Sequence, residues 1–237
     1  MKQVAVVIPL YRNELSHWEQ LSLARCKEVL GTKHDIIVVA PEGIDSHGLH
    51  AEHFDKKYFD GLKGYNKLML SHEFYNRFNQ YQYILIYQLD GWVFRDNLES
   101  WCNQGWEYIG APWMIKGFKS HTLNCIARDI LLKLKCYHTD MFRYRMVGNG
   151  GISIRHVRTF IEKSRNINNI PLNGTLNEDV YWSLVAGLKI PNWEVAIKFS
   201  IDEIPYPADN EYKPDFCHGF SKSDQNFQYW KKLLDRK

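Results

Sequence analysis

Residues 83–89 form an apolar run that ends abruptly at one aspartate, Asp90. Such a run predicts a strand that is buried on both faces, as the strands of parallel sheets are. In open α/β sheets, ligands bind beyond the carboxyl ends of the strands. A lone carboxylate at such an end is well placed to hold a metal ion or to polarise a substrate. The following Gly91 also fits a turn or a helix N-cap, which is the purely structural interpretation of Asp90.

Strands and helices are predicted to alternate along the first part of the chain. This alternation predicts an α/β fold with a mostly parallel central sheet flanked by helices. The 237 residues suit a single domain, with about 1–100 as a nucleotide-binding half and about 101–237 as an acceptor-side half. The predicted strands are 4–8, 36–40, 53–59, 83–89, 108–109, 150–154 and 196–200, and the predicted helices are 14–30, 63–78, 124–135, 156–165 and 177–188.

Composition narrows the class of protein. The 30 basic and 27 acidic residues leave a net charge of +3, too balanced for a nucleic-acid binder that relies on phosphate contacts. The five cysteines are widely spaced and lack a C-x-x-C pair, which argues against a disulfide framework or a structural zinc site. Reduced thiols indicate the cytoplasm. No stretch approaches the ~20 apolar residues of a membrane helix.

The last residues, 227–237, are mildly amphipathic and basic. This composition fits an ordinary terminal helix, and it also fits peripheral contact with anionic lipid at the inner face of a membrane.

The segment 148–151, Gly-Asn-Gly-Gly, is the second cluster of interest. Glycines allow a backbone to approach a ligand closely or to adopt a positive φ. Asn149, Gly150 and Gly151 are therefore candidates for ligand binding. A tight hairpin turn explains Asn-Gly equally well.

Two adjacent carboxylates, Glu178 and Asp179, begin an apparent helix. One of them is a candidate general base for an acceptor hydroxyl. Acidic residues in a first helical turn also simply offset the helix dipole. The same position is expected to depress the pKa of a carboxylate.

His218 lies between a cysteine and a glycine, with Phe216 and Phe220 flanking them. A neutral imidazole binds Mn and other divalent metals, although most histidines are structural. Cations near predicted loop–helix or strand-end positions are candidates for a diphosphate site, and they include Arg12, Lys67 and Arg155. The chain lacks a Walker loop and a G-x-G-x-x-G fingerprint, which lowers the rank of ATPases and NAD enzymes.

The order of these motifs resembles that of the GT-A glycosyltransferases. It begins with Val-Val-Ile-Pro at 6–9 and Leu-Asp at 89–90, followed by Gly-Asn-Gly-Gly-Ile-Ser-Ile-Arg at 148–155 and Asn-Glu-Asp-Val at 177–180. Nearly the whole chain is similar to a little-characterised domain-of-unknown-function family within that superfamily. Pro-Glu-Gly at 41–43, Gly-Tyr-Asn-Lys at 64–67 and Ile-Gly-Ala-Pro-Trp at 109–113 also carry this similarity.

The resemblance implies a nucleotide-sugar donor, most often a UDP-sugar, and a role for each matching residue. The loop with Pro9, Tyr11 and Arg12 cradles the nucleoside, and Glu42 contacts base or ribose. Asn66 and Lys67 approach the diphosphate. Asp90 binds a divalent metal, Mn or Mg, and His218 completes the metal site. Asp179, with Glu178 beside it, supplies the catalytic base of an inverting enzyme.

One departure from the family pattern bears on the metal. The usual motif is Asp-x-Asp, whereas this chain has Asp90-Gly91-Trp92. Asp90 and His218 as the only protein ligands would hold a metal weakly, with donor phosphates and water filling the other positions. Metal-independent transfer, with Lys67 or Arg155 neutralising the leaving UDP, is therefore an alternative.

The expected reaction is transfer of a sugar from the donor to a hydroxyl of a glycan or lipid-linked saccharide, as in polysaccharide biosynthesis. Gly150 and Gly151 are expected to admit the donor sugar, and Trp113 to stack on donor or acceptor. Two alternatives stay open. One is a non-catalytic carbohydrate-binding protein on a degenerate scaffold. The other is a sugar-nucleotide nucleotidyltransferase, for which the loop 9–12 is too short.

Overall fold

The computed structural model describes residues 2–117, 119–136, 140–167, 177–205 and 212–234, and nine strands form two sheets within them. The central sheet has six strands in the order β3-β2-β1-β4-β7-β6, and a smaller sheet has the order β5-β9-β8. The strands are β1 (Lys2–Pro9), β2 (Asp35–Ala40), β3 (His50–His53), β4 (Tyr81–Tyr87), β5 (Trp92–Val93), β6 (Tyr108–Pro112), β7 (Val147–His156), β8 (Ser200–Asp202) and β9 (Phe216–His218).

The central sheet combines parallel and antiparallel pairs. β1 pairs in parallel with β2 and β4, and β2 pairs in parallel with β3. β7 is antiparallel to both β4 and β6. The predicted α/β fold with a mostly parallel sheet is therefore confirmed. The strand order reverses between β1 and β4, because β2 and β3 lie on one side of β1 and β4 lies on the other.

Helices cover the sheet and are joined by shorter helical turns. A 3₁₀ turn spans Lys56–Phe59, another spans Asp140–Arg143, and a π-helical turn spans Tyr181–Val185. The α-helices are α1 (His17–Leu30), α2 (Gly61–Leu70), α3 (His72–Arg77), α4 (Leu98–Cys102), α5 (His121–Lys133), α6 (Val157–Ser164), α7 (Glu178–Val180), α8 (Trp193–Phe199) and α9 (Asp224–Leu234). Among the described residues, no helix has the length and apolarity needed to cross a membrane.

The core forms on both faces of the sheet because consecutive strand residues point in opposite directions. In β1, Val4, Val6 and Ile8 join the apolar cluster that contains residues of α1. Ala5 and Val7 join the cluster that contains residues of α2 and α3. All five side chains are buried, so β1 is the two-sided strand that a parallel sheet requires.

The structure corrects four predicted elements. The helix predicted at 63–78 is two helices, because Ser71 ends α2 and its hydroxyl accepts from the N–H of Phe74 to begin α3. The strand predicted at 53–59 is β3 followed by a 3₁₀ turn. The strand predicted at 196–200 is mostly helix α8, which Asn192 caps. The helix predicted at 177–188 is the short α7 with the π-helical turn.

The C-terminal helix packs on the small sheet. Trp230 of α9 is fully buried and belongs to a cluster with Ile201 and Cys217. This packing agrees with an ordinary terminal helix, although residues 235–237 of the predicted amphipathic tail lie outside the described part of the chain.

Candidate active site

A cavity of about 570 Å³ lies at the carboxyl ends of β1 and β4. These two strands flank the point where the strand order reverses, and open α/β sheets bind ligands at that point. The walls combine aromatic and aliphatic side chains with a few polar groups, as ligand pockets generally do. The lining residues are Pro9, Leu10, Tyr11, Arg12, Leu15, Glu19, Tyr58, Phe59, Gly61, Leu62, Tyr65, Gln88, Leu89 and Asp90.

Four predicted donor-site residues line this cavity. Pro9 is the last residue of β1, Tyr11 and Arg12 lie in the loop after it, and Asp90 lies in the turn after β4. Arg12 is oriented by Glu19, which accepts from its Nη2 at 2.8 and 2.7 Å. The guanidinium carbon also lies 5.3 Å from the centre of the Tyr11 ring. The wall therefore offers a flat aromatic face beside a cation.

Glu19 is held in place by the start of α1. Ser16 is the N-cap, its side chain accepts from the N–H of Glu19, and the Glu19 carboxylate accepts from the N–H of Ser16 at 2.8 Å. This reciprocal capping box fixes the first helical turn. Burial opposes the ionisation of Glu19, but the hydrogen bonds from Ser16 and Arg12 outweigh it and lower its pKa.

His218 connects the cavity to the small sheet. Its Nε2 lies 3.0 Å from Oδ1 of Asp90 and 3.1 Å from Oε1 of Gln88. Its Nδ1 lies 2.8 Å from Oδ1 of Asp202. Burial disfavours a charged imidazole, but the hydrogen bonds to Asp202 and Asp90 raise the pKa of His218 to about 10. Without a metal the ring is therefore held in its protonated form, and a metal ion at Nε2 would have to replace the proton on that nitrogen.

Asp90 is the exposed member of this group. Nearly half of its side chain, 46%, is accessible, whereas that of His218 is 15% accessible. Burial works against the charged form of Asp90, yet the hydrogen bond and charge of His218 prevail and lower its pKa. Asp90 therefore presents a carboxylate to the cavity.

The Asp90–His218 pair fits two ligands of a divalent metal. Two neighbouring ligands, each about 2.1 Å from an octahedral ion, are themselves about 3 Å apart, which is the Asp90–His218 spacing. Asp202 on the far nitrogen of His218 is the carboxylate that commonly orients a metal-binding histidine. Within the described ranges, no group of three or more His, Cys, Asp or Glu side chains could hold a metal. A metal here would rely on two protein ligands.

The glycine segment lies inside β7 and forms no hairpin turn, so the turn interpretation is wrong. A Cβ at Gly151 would lie 2.1 Å from Nε2 of His218, and a Cβ at Gly150 would lie 2.5 Å from Oε1 of Glu178. Glycine is needed at both positions because these side chains occupy the space. Gly150 and Gly151 are neighbours in β7, and consecutive Cα atoms are about 3.8 Å apart. Nε2 of His218 and Oε1 of Glu178 therefore lie within about 11 Å of each other.

Glu178 is tied into a buried ion pair. Its Oε1 accepts from Nη2 of Arg155 at 3.0 Å, and both side chains are almost fully buried. Arg155 also donates to the hydroxyl of Tyr75 at 2.8 Å and to that of Ser153 at 3.1 Å. The prediction that Arg155 faces a leaving diphosphate is therefore wrong, because its charge is enclosed and compensates Glu178.

Asp179 has the electrostatic environment of a base. Burial first, and then the charge of Glu178, raise the pKa of Asp179 from 3.8 to about 6. The N–H of Val180 donates to its Oδ1 at 2.7 Å and opposes the rise only in part. The prediction that this position lowers the pKa of the carboxylate is wrong. Helix α7 has only three residues, and the effect of burial outweighs that of its dipole.

Four other predicted contacts lie outside the cavity wall. Asn66 accepts from the N–H of Glu178 at 3.0 Å, so it orders the carboxylate segment. Lys67 is exposed on α2. Glu42 lines a separate cavity of about 450 Å³ with Pro41 and residues 53–56. Trp113 is 8% exposed and packs against Gly148, which leaves little of its ring for stacking on a sugar.

The sequence interpretation missed Gln88, Asp202 and Tyr65. Gln88 lies two residues before Asp90, and that spacing could have indicated a second polar group at the same strand end. Asp202 ends the short strand β8 and carries no local signal for its contact with His218. Tyr65 lines the cavity from α2.

Comparisons with known proteins agree with this architecture. A family model described as "Protein of unknown function (DUF5672)" matches residues 48–218. No curated protein matches the chain in sequence.

Three solved structures illustrate the similarity in fold. The galactosyltransferase LgtC, in complex with donor and acceptor sugar analogues, has a TM-score of 0.59 at 11% identity, over 97% of this chain and 95% of that one. A glycosyltransferase involved in glycosylation of the major capsid of PBCV-1 has a TM-score of 0.53 at 9% identity, over 98% of each chain. Core-mannan synthase A from Aspergillus fumigatus, in its Mn/GDP form, has a TM-score of 0.51 at 13% identity, over 80% of this chain and 72% of that one. The GT-A-like fold predicted from the motifs is confirmed.

Proposed function

This chain belongs to the family of proteins of unknown function DUF5672, and we propose that it is a glycosyltransferase using a nucleotide-sugar donor. One observation carries the proposal: the cavity at the ends of β1 and β4 has the Asp90–His218 pair at its edge. The fold supports the same class of enzyme, since the similar structures are glycosyltransferases. The acceptor is a hydroxyl of a glycan or lipid-linked saccharide.

The nucleoside occupies the cavity. Tyr11 and Tyr58 offer flat faces for a base, and Arg12 supplies a positive charge. We propose a UDP-sugar as donor. Core-mannan synthase A was solved with GDP, which makes GDP-sugars the first alternative to test.

Asp90 and His218 are the residues that would hold a divalent metal, Mn or Mg, with donor phosphates and water as the remaining ligands. Such an ion supplies Lewis-acid stabilisation of the departing diphosphate. Asp202 fixes the orientation of the His218 ring through Nδ1. Gln88 reaches Nε2 from the cavity side.

Asp179 is the general base. Its carboxylate takes the proton of the acceptor hydroxyl as the oxygen attacks the anomeric carbon of the donor. The bond between that carbon and the diphosphate oxygen breaks, and the product has inverted stereochemistry. A pKa near 6 suits this role, because the group is ionised at neutral pH and is more basic than an ordinary aspartate. Glu178 and Arg155 position the segment that carries Asp179.

A thermal-shift panel tests the ligand class. UDP, GDP and their sugars are added singly, each with and without Mn. A ligand that binds only the folded state must raise the melting temperature. A shift with one nucleotide that grows with Mn supports the donor site and the metal pair, and a shift that ignores Mn supports metal-independent transfer. The absence of a shift with every nucleotide would contradict the proposal and favour a carbohydrate-binding protein.

The Asp179→Asn variant tests the mechanism. We expect transfer to fall by about 10²–10⁴-fold, the usual contribution of a general base, with no loss of melting temperature. Asp224→Asn is the matched control, because Asp224 is exposed in the first turn of α9. Full activity in Asp179→Asn would remove Asp179 from the mechanism.

A further inference from the structure

One face of helix α5 exposes a row of large apolar side chains. Leu123, Ile126 and Ile130 are 58%, 51% and 51% exposed, and Leu134, directly after the helix, is 69% exposed. Their spacing of three, four and four residues places them along one side of the helix. We call these four residues the α5 row. Four apolar side chains, each more than half exposed, reach the few hundred Å² at which a patch marks an interaction site.

The opposite side of α5 already has its partner within the protein. Leu131 and Leu132 are partly buried against Trp113, Phe142 and Val180. The α5 row is therefore not needed to hold the helix against the rest of the protein. Val180 follows Asp179 directly, so α5 covers the segment that carries the proposed base.

Positive charge surrounds the α5 row. Lys116 and Lys119 precede the helix, Lys133 is its last residue, and Lys135 follows it, and all four are exposed. The single acidic residue between 116 and 135 is Asp129, which pairs with Arg128 at 2.8 Å. Five basic residues against one acidic residue leave +4 on this segment, more than the +3 of the whole chain.

We propose that the α5 row binds the surface of an anionic lipid bilayer. An apolar helix face with lysines at both ends is the pattern of an interfacial helix, which inserts its side chains while the lysines contact lipid headgroups. A second copy of the chain fits less well, because a two-fold interface would bring the same lysines together. That the membrane then presents a lipid-linked acceptor rests on the proposed function, whereas the binding itself does not.

Vesicle co-sedimentation tests the proposal. The protein is mixed with phosphatidylcholine vesicles, with and without phosphatidylglycerol, and the bound fraction is measured at low and high salt. We expect binding only to the anionic vesicles and weaker binding at high salt. The I126S/I130S double variant should lose at least about tenfold in partition, because two inserted side chains become polar. Lys133→Gln with Lys135→Gln should lose about fivefold for each lysine.

Leu21→Ser is the matched control, since Leu21 is an exposed apolar residue on α1, 39% accessible, away from the α5 row. Three outcomes would overturn the inference: no binding to anionic vesicles, equal binding by I126S/I130S and the unaltered protein, or a dimer that the double variant converts to a monomer. The nucleotide thermal shift of I126S/I130S should be unchanged. If the protein binds anionic vesicles but no nucleotide raises its melting temperature, the proposed function is contradicted and the membrane inference is not.

Discussion

The buried pair of Arg155 and Glu178 predicts a large loss of stability when the arginine loses its charge. In Arg155→Met, the carboxylate of Glu178 stays enclosed, with 4% of its side chain exposed and no cation against it. Removing one partner of a buried pair costs about 3–5 kcal/mol. For a chain of this size, that corresponds to a fall in melting temperature of roughly 6–20 °C.

Urea unfolding followed by tryptophan fluorescence measures this loss, since the chain has 8 tryptophans. The double variant Arg155→Met/Glu178→Gln removes both charges and should recover much of the loss, because no buried charge is left unpaired. Arg158→Met is the control. The Arg158–Glu162 pair is exposed, with 85% and 59% of the two side chains accessible, and should contribute no more than about 0.5 kcal/mol.

An Arg155→Met variant as stable as Arg158→Met would refute the enclosed pair and would make Arg155 available to the diphosphate again.

Three further outcomes follow from the geometry. The folded pKa of Asp179, about 6 against an ordinary 3.8, favours the folded state only while the group is protonated. Relative to Asp179→Asn, the unaltered protein should lose up to about 3 kcal/mol of unfolding free energy between pH 4 and 7, and pH-independent differences would contradict the raised pKa. Gly151→Ala should displace His218 and lower the free energy of unfolding by about 1–3 kcal/mol. It should also abolish any enlargement of a nucleotide thermal shift by Mn, and an unchanged Mn effect would exclude His218 as a metal ligand. Asp215→Ala should cost about 2–3 kcal/mol in urea unfolding, since Asp215 accepts from Nε1 of Trp101 at 2.8 Å, and a loss below that would show the contact to be weak.

Local sequence signals predicted the elements that depend on neighbouring residues. The apolar run before Asp90 predicted a strand at 83–89, and in the structure β4 spans Tyr81–Tyr87, two residues earlier at each end. Helix α1 ends at the predicted residue, with Gly31 as its C-cap. Residues 196–199 of the strand predicted at 196–200 were mispredicted because isoleucine and phenylalanine favour strands, whereas the Asn192 cap and the burial of Ala196 and Phe199 favour a helix.

The roles of individual charges depended on partners far along the chain. The order of the motifs along the chain predicted that Asp90, Asp179 and His218 belong to one site. It gave no sign that Arg155 would be enclosed by Glu178, 23 residues away. It also gave no sign that Asp202 would hold His218. Whether a charge binds a ligand or neutralises another charge depends on solvent access, which is set only when the strands and helices pack.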